Sequence, residues 1–260
     1  MLKGKTALIT GSTSGIGLGI ARALAAQGVS IVLNGLGNAQ EIEKIRADME
    51  RKFEIKAVYH GADMTKPEQI QDMCAKAIGI FGAVDILVNN AGIQFVSPID
   101  EFPDDKWNAI IAINLVSAFH TTKALLPGMK QKGWGRIINI ASAHGLVASP
   151  FKSAYISAKH GMVGMTKTVA LEVADKNITV NAICPGYVNT PLVQGQIRDQ
   201  AKHHGISESE VVEKIMLQPQ PTKKFIEIEE LGGLALFLCS DAAQNITGAA
   251  LPVDGGWTAR

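Results

Sequence analysis

Apolar residues along the chain follow two alternating patterns. Short continuous apolar runs bounded by Gly, Pro, Asn or Asp predict strands at Ala7 to Thr10, Ser30 to Asn34, Lys56 to His60, Ile86 to Asn89, Arg136 to Ala141, Thr179 to Ile183 and Ala250 to Val253. Between them, apolar residues recur every three or four positions, which predicts helices over Ile16 to Gln27, Ala39 to Phe53, Pro67 to Phe81, Pro103 to Gln131, Ser153 to Asp175 and Glu227 to Ser240. Strands that are apolar throughout suit burial on both faces, and the regular βα alternation predicts one α/β domain over residues 1–260, a doubly wound parallel sheet of seven strands covered by helices on both sides. In such a sheet the ligand crevice lies at the carboxyl ends of the strands. One stretch departs from the rhythm. Residues 191–225 carry two amphipathic helical segments, broken at Gly205-Ile206-Ser207 and closed by Gln218-Pro-Gln-Pro-Thr222, inserted just after the sixth strand. That placement suggests a substrate lid over the crevice, or a surface excursion that assists oligomer packing.

Composition narrows the possibilities. A chain of 260 residues that is 47% hydrophobic can build one sizeable core. Its formal charge of +1 offers no field for nucleic acid or an acidic membrane. Cys74, Cys184 and Cys239 are too few and too scattered for a disulfide framework and are expected as small buried hydrophobes. No signal segment and no apolar run of about 18 residues stands out, so a cytoplasmic protein is expected. His203 and His204 are adjacent and lack the spacing of metal ligands, so no metal is expected.

The first chemically suggestive segment is Gly11-Ser-Thr13-Ser14-Gly15-Ile16-Gly17, which joins the first strand to the first helix. Glycines there permit a tight turn and close backbone approach, and the helix N-terminus offers N–H groups to a pyrophosphate. The second is Tyr155 followed four residues later by Lys159, with Ser142 at the end of the preceding strand. On a helix these two side chains share one face, and a cation roughly 5 Å from a phenol would lower its pKa from about 10 by about two units. Phenol and hydroxyl together suit proton exchange with an alcohol or carbonyl.

These motifs, with Asn89-Asn90-Ala91-Gly92, Pro185-Gly186 and Asp254-Gly255-Gly256, occur in an order that resembles the short-chain dehydrogenase/reductase family over essentially the whole chain. The resemblance implies a Rossmann-type fold, a homotetramer, and Asn114, Ser142, Tyr155 and Lys159 as catalytic residues. Asn114 lies in the apolar run Ile110 to Leu115; the resemblance gives it a water beside the lysine and a proton route to solvent, and its alternative is a satisfied core amide. The implied cofactor-binding residues are Gly11, Thr13, Ser14, Gly15, Ile16, Gly17, Leu36, Asp63, Met64, Asn90, Ala91, Gly92, Tyr155, Lys159, Pro185, Gly186, Val188 and Thr190. Asp63 would contact adenine or, alternatively, cap the next helix. The segment Asn34-Gly35-Leu36-Gly37 carries neither the acid that binds a ribose hydroxyl nor an arginine for a 2′-phosphate, and Ser14 is not basic, which favours NAD over NADP.

Gln94, His144 and Lys152 should rim the same mouth, and a cation, an imidazole and an amide converging there suggest an anionic, carboxylate-bearing substrate. Gln196 could join on lid closure. Taken singly, Lys152 could be a solvated loop lysine, His144 a turn residue and Trp257 plain packing. Within the family the constellation resembles members that act on short 3-hydroxy acids, which implies Gln94, Ser142, His144, Lys152, Tyr155, Tyr187, Gln196 and Trp257 around the substrate. Tyr187 stands where tryptophan is expected, leaving chain-length preference open. The implied reaction is reversible NAD-dependent oxidation of (R)-3-hydroxybutyrate to acetoacetate. The alternatives are an NADP-linked 3-oxoacyl or carbonyl reductase and a non-catalytic NAD(P)-sensing module.

Overall fold

The computed structural model describes residues 2–259, apart from the side chains of Leu192, His203 and His204. The histidine pair for which no metal was expected therefore lies outside the described side chains. Strands β1 (Thr6–Ile9), β2 (Ser30–Asn34), β3 (Ala57–His60), β4 (Ile86–Asn89), β5 (Gly135–Ile140), β6 (Ile178–Pro185) and β7 (Ala250–Val253) form one sheet in the order β3-β2-β1-β4-β5-β6-β7. Every neighbouring pair is parallel. The order reverses beside β1, which places a crevice between the loops that follow β1 and β4.

Helices α1 (Gly15–Ala25), α2 (Ala39–Phe53), α3 (Pro67–Phe81), α4 (Asp104–Ile111), α5 (Ser117–Lys132), α6 (Ser153–Glu172) and α9 (Ile228–Cys239) cover the sheet, while α7 (Pro191–His204) and α8 (Glu208–Val211) make up the insertion. The period of two along β1 divides the core. Ala7 and Ile9 pack with Ile20 and Leu24 of α1 and Leu231 and Leu238 of α9, whereas Leu8 packs with Met73 of α3 and Leu125 and Met129 of α5. Both faces of the central strands are thus dry, which is why these strands read as unbroken apolar runs. Cys74, Cys184 and Cys239 are buried thiols, and desolvation pushes the first up to about 12 and the second to about 11.

Four expectations are corrected. The single helix expected over Pro103 to Gln131 is α4 and α5 joined by a π turn at Ala112–Val116, where the hydrogen-bond ladder slips by a residue around buried Asn114. The run Asp104–Lys132 is also long and apolar enough to cross a membrane by length and composition, contrary to the expectation of no such run. It packs on the sheet through Leu125 and Met129, the position of a core helix. The helix expected to reach Asp175 stops at Glu172 and continues as a 3₁₀ turn, Ala174–Lys176, closed by Asn177 in a left-handed conformation. β6 runs further than expected, to Pro185, because Cys184 and Pro185 pair with Pro252 and Val253.

Residues 191–225 hold the two expected helical segments. Thr190 caps α7 by accepting from the Val193 N–H, Gly205 ends it at φ +64°, and a Ser207–Glu210 capping box starts α8. Val193, Ile197, Val211 and Met216 give the insertion an apolar cluster of its own, joined by Tyr187 and Phe225.

Candidate active site

The crevice is a cleft of about 480 Å³ that runs from the glycine loop across the carboxyl ends of the strands to Ser142 and Tyr155. Its near wall is Gly11 to Ile16. Gly11 and Gly15 adopt φ +61° and +53°, and a Cβ on Gly17 would lie 2.5 Å from both Asn90 Nδ2 and the Gly11 carbonyl. Only glycine fits this packing. Ser14 makes no side-chain cap, so among the described residues the first N–H groups of α1 have no cap partner, and Gly15 and Ile16, which carry two of them, line the cleft. Such donors at a helix N-terminus fit a pyrophosphate, and the glycine cradle leaves space for one. The dinucleotide implied by the resemblance therefore fits the residues present.

Four polar side chains hold this wall in place. Asn90 Nδ2 donates to the carbonyls of Thr10 (2.8 Å) and Gly11 (2.9 Å), and the Thr10 hydroxyl accepts the N–H groups of Asn90 (2.9 Å) and Ala91 (3.0 Å). Asn34 Oδ1 accepts the Gly11 N–H, while its Nδ2 donates to the carbonyls of His60 and Ala62. Ser12 Oγ donates to the Ile9 carbonyl and accepts the Asn34 N–H. Sequence reasoning missed Asn34. The available signal was a lone amide ending an apolar strand, where a buried polar group needs partners.

At the far end of this wall, Asp63 and Met64 line the cleft. The Asp63 carboxylate accepts from the Thr65 N–H and hydroxyl, both at 2.8 Å, and these bonds hold it below the usual carboxylate range. The alternative role as a helix cap is not realised, since α3 starts after Lys66. Leu36 is exposed at the rim, and Lys159 is the one cationic residue among the described residues lining the cleft. Ala91, Gly92, Pro185, Gly186, Val188 and Thr190 line it too. Gly17 supports the loop from behind and is not part of the lining.

The three reactive residues meet where β5 ends. Ser142 follows the strand, and its Oγ accepts the His144 N–H at 3.1 Å. Tyr155, in the first turn of α6, is hydrogen-bonded to Ser142. One turn on, Lys159 donates to the Ile140 carbonyl at 2.7 Å, with Nζ 5.5 Å from the centre of the Tyr155 ring. The shared face is as expected, but the electrostatics are not. Burial raises the Tyr155 phenol above its ordinary value, offset in part by the Ser142 bond, and the same desolvation pulls Lys159 down to about 8. In a dry site both charged forms lose hydration, and this outweighs the attraction that the spacing suggested. Asn114 spends its amide on one peptide: Oδ1 accepts the Ile93 N–H and Nδ2 donates to the Ile93 carbonyl. That leaves the second lone pair of Oδ1 for a water. Gly92 sits between the two groups, since a Cβ there would lie 3.5 Å from Asn114 Oδ1 and 3.7 Å from Lys159 Nζ.

Next to Tyr155, outside the lining of the cleft, stands an aromatic group. His144 sets its edge against Trp257 (4.9 Å, 81°) and Tyr155 (6.1 Å, 84°), and Trp257 stacks on Tyr187 (5.8 Å, 12°). Lys152 reaches into this box and donates to the Tyr187 hydroxyl at 3.4 Å. Desolvation, and next the Lys152 charge, drive His144 down to about 4, so the imidazole is neutral and the positive charge beside it is that of Lys152. Of the expected substrate residues, Gln94, Ser142 and Tyr155 line the cleft, whereas His144, Lys152, Tyr187 and Trp257 lie outside its lining, as does Gln196, half-buried on α7.

Comparisons with known proteins agree with this geometry. Residues 5–201 match the family described as short chain dehydrogenase. The chain is 59% identical to a D-beta-hydroxybutyrate dehydrogenase of Rhizobium meliloti, over 98% of this chain and 99% of that protein. It is 57% identical to a protein of the same description from Cupriavidus necator, over the full length of both. Among solved structures, an actinorhodin polyketide ketoreductase with NADPH superposes with a TM-score of 0.92 at 33% identity, covering 98% of each chain. The chain belongs to the short-chain dehydrogenase family and is an oxidoreductase of small molecules that uses a nicotinamide cofactor.

Proposed function

We propose that the protein catalyses the reversible, NAD-dependent oxidation of (R)-3-hydroxybutyrate to acetoacetate. The observation that carries this is Lys152, a largely desolvated ammonium next to the reactive tyrosine that has no carboxylate partner among the described residues. A buried, unpaired cation is unfavourable until an anion meets it. A short hydroxy acid supplies that anion within reach of Tyr155, and both D-beta-hydroxybutyrate dehydrogenases named above support the choice.

In the oxidation, Lys152, His144 and Gln94 hold the carboxylate, Tyr187 and Trp257 wall the carbon chain, and Gln196 closes over it as residues 191–225 act as a lid on the single domain. Ser142 and Tyr155 bind the C3 hydroxyl, and Tyr155 takes its proton. A bound nicotinamide supplies the hydride acceptor for oxidation and the donor for reduction. Lys159 holds the nicotinamide ribose, and Asn114 passes the proton through a water towards solvent. Gly11 to Gly17, Asn90 to Gly92 and Pro185 to Thr190 hold the dinucleotide. Leu36 and Asp63 meet its adenosine end, and as the one cation among the described lining residues, Lys159, stands at the other end beside Tyr155, the lining supports NAD over NADP. The enzyme is cytoplasmic and works as a homotetramer.

Absorbance of reduced nicotinamide, followed with NAD or NADP and each enantiomer of 3-hydroxybutyrate, tests the assignment. Turnover of the R enantiomer with NAD is expected. Turnover of the S enantiomer alone, or of neither, overturns it; preference for NADP and thioester substrates would make the protein a 3-oxoacyl reductase instead.

A further inference from the structure

We propose that Ser149 is a positioning residue that fixes the tautomer of His144, so that the imidazole turns an N–H towards the substrate carboxylate. This rests on the assignment of a hydroxy acid to the site. A neutral imidazole carries a single ring proton, so it attracts an anion through one nitrogen and repels it through the other. His144 is in that condition: buried beside the Lys152 ammonium, it is held far below the value at which histidine ordinarily charges. Its usefulness to a carboxylate then depends on which nitrogen is protonated.

The surroundings restrict the choice. His144 Nε2 lies 2.8 Å from Ser149 Oγ, in the loop that leads to α6. The histidine backbone is held by its N–H bond to Ser142 Oγ, and the ring is clamped edge-on between Trp257 and Tyr155, so it cannot readily turn over to put ring carbons where its nitrogens are. A serine hydroxyl can donate as well as accept. Donation from Ser149 to Nε2 leaves the proton on Nδ1 and makes that nitrogen the donor available to an anion. The opposite arrangement turns a lone pair towards it. An incoming carboxylate favours the first, and Ser149 makes it available before the substrate arrives, in the way that second partners orient reactive histidines elsewhere.

The test uses the full-length protein with NAD and two substrates, (R)-3-hydroxybutyrate and its uncharged methyl ester. Ser149→Ala should raise KM for the acid roughly tenfold, the scale of one hydrogen bond to a charged group. KM for the ester and for NAD should stay within about twofold on the same argument, and Ser149→Thr, which keeps the hydroxyl, should restore the acid. Nitrogen-15 spectra should place the His144 proton on Nδ1 in the wild type and show a mixture of tautomers in Ser149→Ala. Equal increases for acid and ester would show that Ser149 only shapes the pocket, and an unchanged or lowered KM for the acid would show that it has no part in binding or competes for Nε2. Either result overturns the proposal, as does an Nε2–H tautomer in the wild type. If the wild type does not oxidise the acid at all, the substrate assignment fails, while the spectra still decide the tautomer.

Discussion

At Tyr155 and Lys159, desolvation acts on both groups in the direction that removes charge, raising the phenol and lowering the ammonium to about 8. The spacing of the two residues was legible in the sequence, because a helix places positions four apart on one face. Their proton affinities were not, because they depend on how completely β5, α6 and the loop after β4 exclude water. The sign of the pH dependence follows. Oxidation needs the deprotonated phenol as base, a minor form at neutral pH, so kcat/KM for the hydroxy acid should rise with pH. As Lys159 loses its proton near pH 8, the charge that steadies the phenolate goes with it and the rise should flatten. Reduction needs the protonated phenol, which burial keeps in that form past its ordinary range, so it should stay level over the same range and fall only at higher pH. Tyr155→Phe should lower turnover in both directions by at least about a thousandfold, within the range of a lost acid–base group, while NAD binding measured by tryptophan fluorescence persists. A wild-type rate that does not vary with pH in either direction, or a phenylalanine variant that still turns over, would remove Tyr155 as the proton carrier.

Among the elements, strands and helices were predicted within a few residues of their ends because their burial is written in apolar periodicity. The π turn at Ala112–Val116 was not legible, since a slip of one residue leaves no trace in a run that is apolar on every side. Close helix contact was equally hidden. α1 and α9 meet through glycines: a Cβ on Gly19 would stand 1.9 Å from Ile228 Cγ2, and one on Gly232 would stand 3.1 Å from Ala23 Cβ. Nothing lies within 4 Å of the same position on Gly79 of α3. Gly19→Ala should therefore destabilise the protein by about 1–3 kcal/mol through overpacking. Gly79→Ala removes only backbone freedom from an exposed helix interior and should stabilise by roughly 0.5–1 kcal/mol. Urea unfolding of the two variants checks the pair. Equal shifts would mean that the α1–α9 contact relaxes freely and does not fix how the glycine loop at the head of α1 is presented to the cofactor.

For the whole molecule, the order of the strands follows from the βα alternation, but the outer surfaces of α5 and α6 do not belong to the core of one chain. Between them lies a groove of about 550 Å³ lined by Phe119, Leu126, Met165 and Val169, with Lys123, Lys130 and Glu172 among its polar residues. Phe119 is 48% exposed. Contiguous apolar surface rimmed by charges is the usual form of a protein interface. Tyr155 and Lys159 stand on α6, the helix whose far end carries this surface, so a second copy packed there would also brace the reactive residues. If the proposed homotetramer uses this face, light scattering of the wild type should give about four times the 27.6 kDa of the chain. Phe119→Glu would set a carboxylate into the apolar contact and should reduce that mass to half or less. It should also lower kcat/KM, with far-ultraviolet circular dichroism unchanged. A wild type that runs as a single chain refutes the tetramer, and a variant that keeps the full mass moves the interface away from α5 and α6.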